Sequence, residues 1–322
     1  MQAQILELRL DRLDWEDLTF AVHSFLPQTR LEVSLEHHGI ICPPWVCNKG
    51  SRKYAIVDGF KRLDWAGRKG LEYVQCVVFP ASCSYEELLI LRVEGKLFGP
   101  PLNPAEKAQI IAQCARTMPR EFILERILPA LEVAQRSDAI EAWGKMLAAG
   151  EALLKATASG EVAERAGIEI SNWGDAEMSE ILAVLKELRC SASIQMEVIE
   201  RIREIALIQD RSRLAVLQQP EVQAVLKSRH SNHRQKTEAL RMLLSRWRFP
   251  RLSARKESFI HQWNEASLPR AIRLSPPPDF EGGRWQLELA FGSQQELKEL
   301  LELALDFAVS PVMARILSGE NS

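Results

Sequence analysis

The sequence predicts an α+β protein in three parts: an α/β domain at the N-terminus, an all-helical middle domain, and a small ββα unit at the C-terminus. Three observations predict it. Short helical and strand-like segments alternate closely from Leu31 to Pro80, the pattern of a two-layer unit. From Pro104 to about Lys227 the apolar residues recur at helical period. Beyond residue 270 two strand-like stretches precede one amphipathic helix. The expected divisions are residues 1–100, a helical domain over 101–227, a basic segment over 228–256 and a tail over 257–322.

Taken in order, Leu31 to His38 reads as a short amphipathic helix that ends at Gly39, followed by an apolar stretch through Pro43 and Pro44. Tyr54 to Val57 is strand-like, Asp58-Gly59 is a turn, and Phe60 to Lys69 is helical and closed by Gly70. Tyr73 to Phe79 is a second strand. The character changes at Gly99-Pro100-Pro101. There Asn103-Pro104-Ala105-Glu106 combines a capping residue, a proline suited to the first helical position and a glutamate at the third, so a helix starts at Pro104. The middle domain has stops at Pro119, Gly150, Gly160, Gly167 and Gly174. In the tail, Ala271 to Leu274 and Arg284 to Phe291 predict a hairpin with a long, proline-rich loop. The helix after it, Gln294 to Val309, carries Leu297, Leu300, Leu301, Ala304 and Phe307 on one face. That face either packs internally or pairs with a second copy of the chain.

With 41 Lys+Arg against 43 Asp+Glu the net charge is −2, which excludes a uniformly basic coat and leaves room for a local basic surface. No run of 18 apolar residues occurs, and Met1 to Trp15 sets Glu7, Arg9, Asp11 and Arg12 among its leucines, so neither a membrane span nor a signal peptide is expected. Six cysteines in 322 residues are too sparse for a disulfide scaffold. A cytoplasmic protein with buried free thiols is the expectation. Cys42 with Cys47 and Cys76 with Cys83 lack zinc-knuckle spacing, and His37-His38 falls at a helix end, so no metal site is expected.

The segment Tyr54 to Leu63 is a strand, a glycine turn and a helix start with Lys61 and Arg62 in its first turn. Cations there oppose the helix dipole, and a bound anion would reverse the penalty. Gly59, the free N–H groups, Lys61 and Arg62 together suit a phosphate; the alternative is two solvated side chains.

Leu35 to Pro44, Tyr54 to Leu63, Ala66, Gly70 and Leu102 to Glu106 resemble, in order and spacing, the N-terminal domain of ParB-like partition proteins. The helical middle is similar, more loosely, to the DNA-binding domain of that family. The resemblance implies a sulfiredoxin-like fold that binds CTP, with Mg2+ as its companion ion, and uses the nucleotide to gate a clamp on DNA. It also implies a homodimer and a partner ATPase. The family's glycine-acid-arginine-arginine box falls on Gly59, Phe60, Lys61 and Arg62, and Gly39 belongs to the same implied nucleotide site. A glutamate-asparagine box falls near Glu94, Gly95 and Lys96, which makes Glu94 the implied catalytic residue. Phenylalanine in the acidic position and the lost asparagine imply nucleotide binding with weak or absent hydrolysis.

Two other activities of the same fold are weighed against these residues. A sulfiredoxin needs a cysteine thiolate where this chain has Phe60, which excludes that chemistry. A phosphotransferase would use carboxylates near the phosphate loop, and Asp58 and Asp64 are available, although Asp58 reads as a turn residue and Asp64 as a solvated helix position.

Between Lys227 and Lys256 stand Lys227, Arg229, Arg234, Lys236, Arg241, Arg246, Arg248, Arg251, Arg255 and Lys256, against Glu238 alone. Such a stretch on an acidic remainder, with Trp247 and Phe249 interleaved, predicts a surface that meets the phosphates of DNA. Two segments compete for a helix-turn-helix, Glu161 to Trp173 and Arg126 to Met146, the latter offering Arg136 and Lys145. The functional expectation is a nucleotide-responsive, ParB-like DNA-binding protein acting in partition or in regulation of a mobile element. The alternatives are a phosphotransferase, or a degenerate relative that binds DNA without nucleotide.

Overall fold

The structure is a computed structural model that describes residues 2–50, 52–97 and 101–318. It is mixed α+β and divides into two compact units, Met1–Ile199 and Glu200–Ser322. Gly99 and Pro100, where the sequence places the first change of character, lie outside the described residues.

The first unit opens with β1 (Gln4–Arg9), a 3-10 turn and β2 (Leu13–Asp14), then α1 (Thr29–His38), β3 (Trp45–Asn48), β4 (Tyr54–Asp58), α2 (Phe60–Arg68), β5 (Tyr73–Phe79) and α3 (Tyr85–Leu97). The five strands form one sheet in the order β1-β5-β3-β4-β2. β1 runs antiparallel to β5, β3 parallel to β5 and antiparallel to β4, and β2 parallel to β4. In β5 the alternation is plain: Val74, Cys76 and Val78 point inward while Tyr73 and Gln75 are exposed. These inward residues meet Val46, Ile56 and Leu13 of the neighbouring strands and Leu63 and Ala66 of α2 in one core. The helix and strands predicted over 54–79 are present. The N-terminal strand β1, the strand β3 within the apolar stretch after Pro44, and α3 are additions to the predicted elements.

α4 (Pro104–Ala115) begins where predicted. The Asn103 side chain accepts from the Glu106 N–H at 3.0 Å and the Glu106 carboxylate accepts from the Asn103 N–H at 3.1 Å. α5 (Arg120–Phe122), a π turn over Ile123–Ile127 and α6 (Leu128–Ala130) follow, then α7 (Ala139–Ala148), α8 (Glu151–Ala158), α9 (Glu164–Ile170), α10 (Asp175–Leu188) and α11 (Ala192–Ile208). α4 is the central helix, packed on α7 and α8. No described helix is long and apolar enough to cross a membrane.

The second unit holds α12 (Arg213–Leu217), α13 (Pro220–Lys227), α14 (His233–Arg248), α15 (Pro250–Glu265), β6 (Ile272–Ser275), β7 (Gln286–Leu289), α16 (Gln294–Ala308) and α17 (Pro311–Ser318). The hairpin forms, with Ile272 opposite Leu289 and Ser275 opposite Gln286. Its second strand is shorter than predicted, because Arg284, Trp285 and Phe291 lie beyond the paired register. The predicted apolar face of α16 also divides. Leu300, Ala304 and Phe307 are buried with Ile272, Leu274 and Ile316, while Leu297 is half-buried and Leu301 is 45% exposed. Residues 300, 304 and 307 form one stripe at helical spacing, and Leu301 stands about 100° around the helix from Leu300.

Candidate functional site

The turn between β4 and α2 is built around Gly59, whose φ of +91° is open to glycine and strained for other residues. A Cβ there would lie 2.9 Å from the Pro44 Cβ and 3.0 Å from the Arg62 side chain, so the backbone approaches Pro44 as only glycine allows. Gly59 is also the N-cap of α2 and supplies no capping side chain, which leaves the first-turn N–H groups for an external acceptor.

These groups open onto a cleft of about 140 Å³ lined by Ser24, Gln28, Asp58 to Arg62, Arg92, Lys96 and Glu106, with Val22 and Leu31 as its apolar wall. Four cations thus converge from two helices: Lys61 and Arg62 from α2, and Arg92 and Lys96 from α3. Arg92 is the most unusual, because its side chain is 5% exposed. Its Nε and Nη1 are buried without a hydrogen-bond partner, and the Asp58 carboxylate stands 3.7 Å from Nε. Burial pulls the Arg92 guanidinium below its ordinary pKa, and the charge of Asp58 offsets only part of that effect. Burial also lowers the Lys61 pKa, against the opposing influence of Glu106. Two desolvated cations and an uncapped helix N-terminus form a site with unused capacity for negative charge.

The floor and rim are held by the segment before α1. Lys61 Nζ donates to Ser24 Oγ at 3.3 Å, and Gln28 donates to the same oxygen at 2.9 Å. α4 fixes this segment from behind: Asn103 donates to the Ser24 carbonyl at 2.9 Å, Gln109 to the His23 carbonyl at 2.7 Å, and Gln113 to the Ala21 carbonyl at 2.7 Å. The capped start of α4 therefore positions the cleft as well as the helix.

Gly59, Lys61 and Arg62 line the cleft, as the sequence suggests. Gly39 caps the C-terminus of α1 with φ +68° and is not among the lining residues. Glu94 is exposed on α3 and is also outside the lining. Asp58 is more than a turn residue, since its Oδ2 pairs with Arg62 Nη2 at 2.6 Å while Oδ1 faces Arg92. Asp64 pairs with Arg68 on the surface at 3.1 Å. Ser24 and Arg92 are the residues the sequence reading missed, while of the glutamate-asparagine box it is Lys96 that lines the cleft. The available signal was Arg92 itself, a charged residue in the apolar register of Leu88, Leu89 and Val93.

In the second unit the basic stretch spans the end of α13, all of α14 and the start of α15. Lys227, Arg229, Arg234, Arg246, Arg251 and Lys256 are exposed. The others have structural duties. Lys236 is buried and donates to the Leu226 carbonyl. Arg248 pairs with Glu204 at 2.9 Å and lies 4.7 Å from the Phe249 ring centroid. Arg255 donates to the Ile316 carbonyl and lies over Phe280. Arg241 pairs with Glu238 at 3.2 Å and Arg246 with Glu257 at 3.8 Å, both at the surface.

In the first helix-turn-helix candidate the stop and turn expected at Gly167 do not form, because α9 runs unbroken through that residue, which is buried against Thr157. Glu161 to Trp173 carries α9, whose Ala166 and Ile170 are core residues. Arg126 to Met146 runs from the π turn through α6 into α7. Two of its cations are engaged, Arg136 with Asp138 at 2.7 Å and Lys145 with Asn172 at 2.9 Å. Cys47, Cys76 and Cys114 are buried, whereas Cys42 is exposed and Cys83 and Cys190 are intermediate, so the expectation of buried thiols holds for three of the six.

No model of a known protein family matches the chain, and no curated protein matches it. Among solved structures it is similar to the C-terminally truncated chromosome-partitioning protein ParB from Caulobacter crescentus complexed to the centromeric parS site, at 17% identity, over 61% of this chain and 99% of that one, with a TM-score of 0.36. A second similar structure is the same truncated ParB complexed with CTP-gamma-S, at 18% identity, over 56% of this chain and 98% of that one, with a TM-score of 0.25.

Proposed function

We propose that this chain is a nucleotide-responsive, DNA-binding protein of the ParB kind, whose cleft at Gly59 takes the triphosphate of a nucleotide. The observation that carries the reading is Arg92, a buried guanidinium with two unpartnered nitrogens at the edge of an uncapped helix N-terminus. A phosphate chain accepts from the first-turn N–H groups and from Arg92, and Lys61, Arg62 and Lys96 supply further charge. The sequence resemblance makes CTP the nucleotide to test first, with Mg2+ carried on its phosphates. Both cleft carboxylates already have work, Asp58 in ion pairs and Glu106 in the α4 cap, which favours binding over phosphoryl transfer. DNA contact is assigned to the exposed cations of the second unit, and self-association to the outward side of α16.

Calorimetric titration of CTP, ATP and GTP, each with Mg2+ and with and without duplex DNA, tests this reading. CTP is expected to bind, and Lys61→Ala with Arg62→Ala should abolish binding in a protein that still unfolds cooperatively. Absence of binding by any nucleotide, with DNA binding retained, would leave the degenerate DNA-binding alternative.

A further inference from the structure

The cleft holds its own anion. Asp58 ends β4, one residue before the glycine turn, and its carboxylate stands between two of the four cations, 2.6 Å from Arg62 and 3.7 Å from Arg92. The contact draws the Arg62 side chain back along its own helix, where it also donates to the carbonyls of Cys42 and Pro43. All three side chains are sheltered, with Asp58 28%, Arg62 16% and Arg92 5% exposed, so their charges are less screened than at the surface.

Building on the polyphosphate reading, we infer that Asp58 sets the smallest anion the cleft accepts, by competing with the ligand for Arg62 and Arg92. An incoming phosphate must take these guanidinium groups from a carboxylate and then lie close to it, a like-charge contact. The lining residues carry Lys61, Arg62, Arg92 and Lys96 against Asp58 and Glu106, a formal net charge of +2. Orthophosphate carries too little charge, and spans too little length, to engage the two arginines and the two lysines together. A chain of three phosphates also reaches Lys61, Lys96 and the first-turn N–H groups, and so binds without having to displace the carboxylate from both arginines. Asp58 is thus a specificity-determining residue, selecting polyphosphate over the inorganic phosphate abundant in any cell.

The test compares the unmodified protein with Asp58→Asn and Asp58→Ser, titrating inorganic phosphate, pyrophosphate and tripolyphosphate at constant ionic strength. Thermal unfolding of each variant is followed to confirm a folded state; serine serves if the asparagine variant is unfolded. The expected result is inorganic phosphate binding about tenfold tighter in the variants, the factor one charge-assisted hydrogen bond supplies. Tripolyphosphate should gain less, so that the ratio of the two affinities shrinks. A ratio that does not change, or loss of all three ligands from a folded variant, would overturn the role of Asp58 while tripolyphosphate binding by the unmodified protein keeps the cleft as a polyphosphate site. Failure of the unmodified protein to bind tripolyphosphate would overturn both.

Discussion

The Lys236 Nζ donates to the backbone carbonyl of Leu226 at 2.7 Å, across the turn that joins α13 to α14. The last carbonyls of a helix have no intrahelical partner and carry the negative end of its dipole, so a buried ammonium is well matched to them. Lys236 is only 8% exposed. Lys236→Met keeps the aliphatic stem and removes the donor, and should cost about 1–3 kcal/mol in stability by calorimetry or urea denaturation. The salt dependence of DNA binding should not change, since this cation has no access to a phosphate. An unchanged unfolding midpoint would reject the structural role.

Arg229, Arg234 and Arg251 are the counterpart: each is exposed and makes no hydrogen bond or ion pair among the described residues. Replacing all three with glutamine should weaken binding to every duplex alike and flatten the log-log slope of affinity against salt by up to about 2.7 units, at roughly 0.9 per phosphate contact. Arg248→Gln should flatten the slope less and destabilise the unit more, because Arg248 is held by Glu204 and Phe249. Anisotropy titrations on two unrelated duplexes over a salt series measure both effects. A slope unaffected by the triple replacement would return the stretch to a solvated basic face.

The contrast shows which features were legible in the sequence. β4, α2, β5 and the capped start of α4 are written in local signals: alternation, Asp58-Gly59 and Asn103-Pro104-Ala105-Glu106. β1 is not, because nearly all of its residues are exposed at the sheet edge and apolar Ile5 and Leu6 are adjacent, which breaks the alternation. Lys61 and Arg62 could be picked out from their place after a glycine turn. Ser24 and Arg92 reach the cleft through tertiary packing of the segment before α1 and of α3; the charge of Arg92 in an apolar register marks it as unusual, but nothing local says which residues it meets. Charge counting found the basic stretch but could not tell Lys236, turned inward to cap a helix, from Arg229, turned out.

Arg92 gives a sharper test of the cleft than the α2 cations. A buried guanidinium with unpartnered nitrogens is costly to fold around, and replacing it with an apolar side chain of similar length removes that cost while Asp58 keeps Arg62 as its counter-ion. Arg92→Met should therefore hold or raise the unfolding temperature and lower nucleotide affinity at least about tenfold. Loss of stability without change in affinity would make Arg92 a structural residue.

The thiols should divide by burial. Burial pushes the Cys76 thiol up to about 11 and the Cys114 thiol up to about 12, so at pH 8 about one in a thousand or fewer of these groups is thiolate. The Cys47 thiol is raised for the same reason. With a disulfide reagent at pH 8 the native protein should react first at exposed Cys42, and Cys76 and Cys114 should react only after unfolding in urea. Mass mapping of the labelled peptides checks the order, and fast native labelling of Cys114 would contradict the packing of α4.

Self-association depends on what α16 leaves outside. The Leu300, Ala304 and Phe307 stripe is spent on the unit's own core, so the dimer face cannot be the whole set of leucines that the sequence suggested. What remains is Leu301, Leu305 and Val309, spaced four apart and 45%, 68% and 85% exposed. One helical stripe is smaller than the roughly 1,000 Å² that a specific interface requires, so the contact must extend to neighbouring exposed residues such as Leu297 at its edge. Leu301→Lys with Leu305→Lys should convert a dimer to a monomer in sedimentation at micromolar concentration, with the unfolding temperature of the unit little changed because neither side chain is in its core. A dimer that survives both lysines would move the interface elsewhere, and a monomeric mass for the unmodified protein would exclude self-association through this helix.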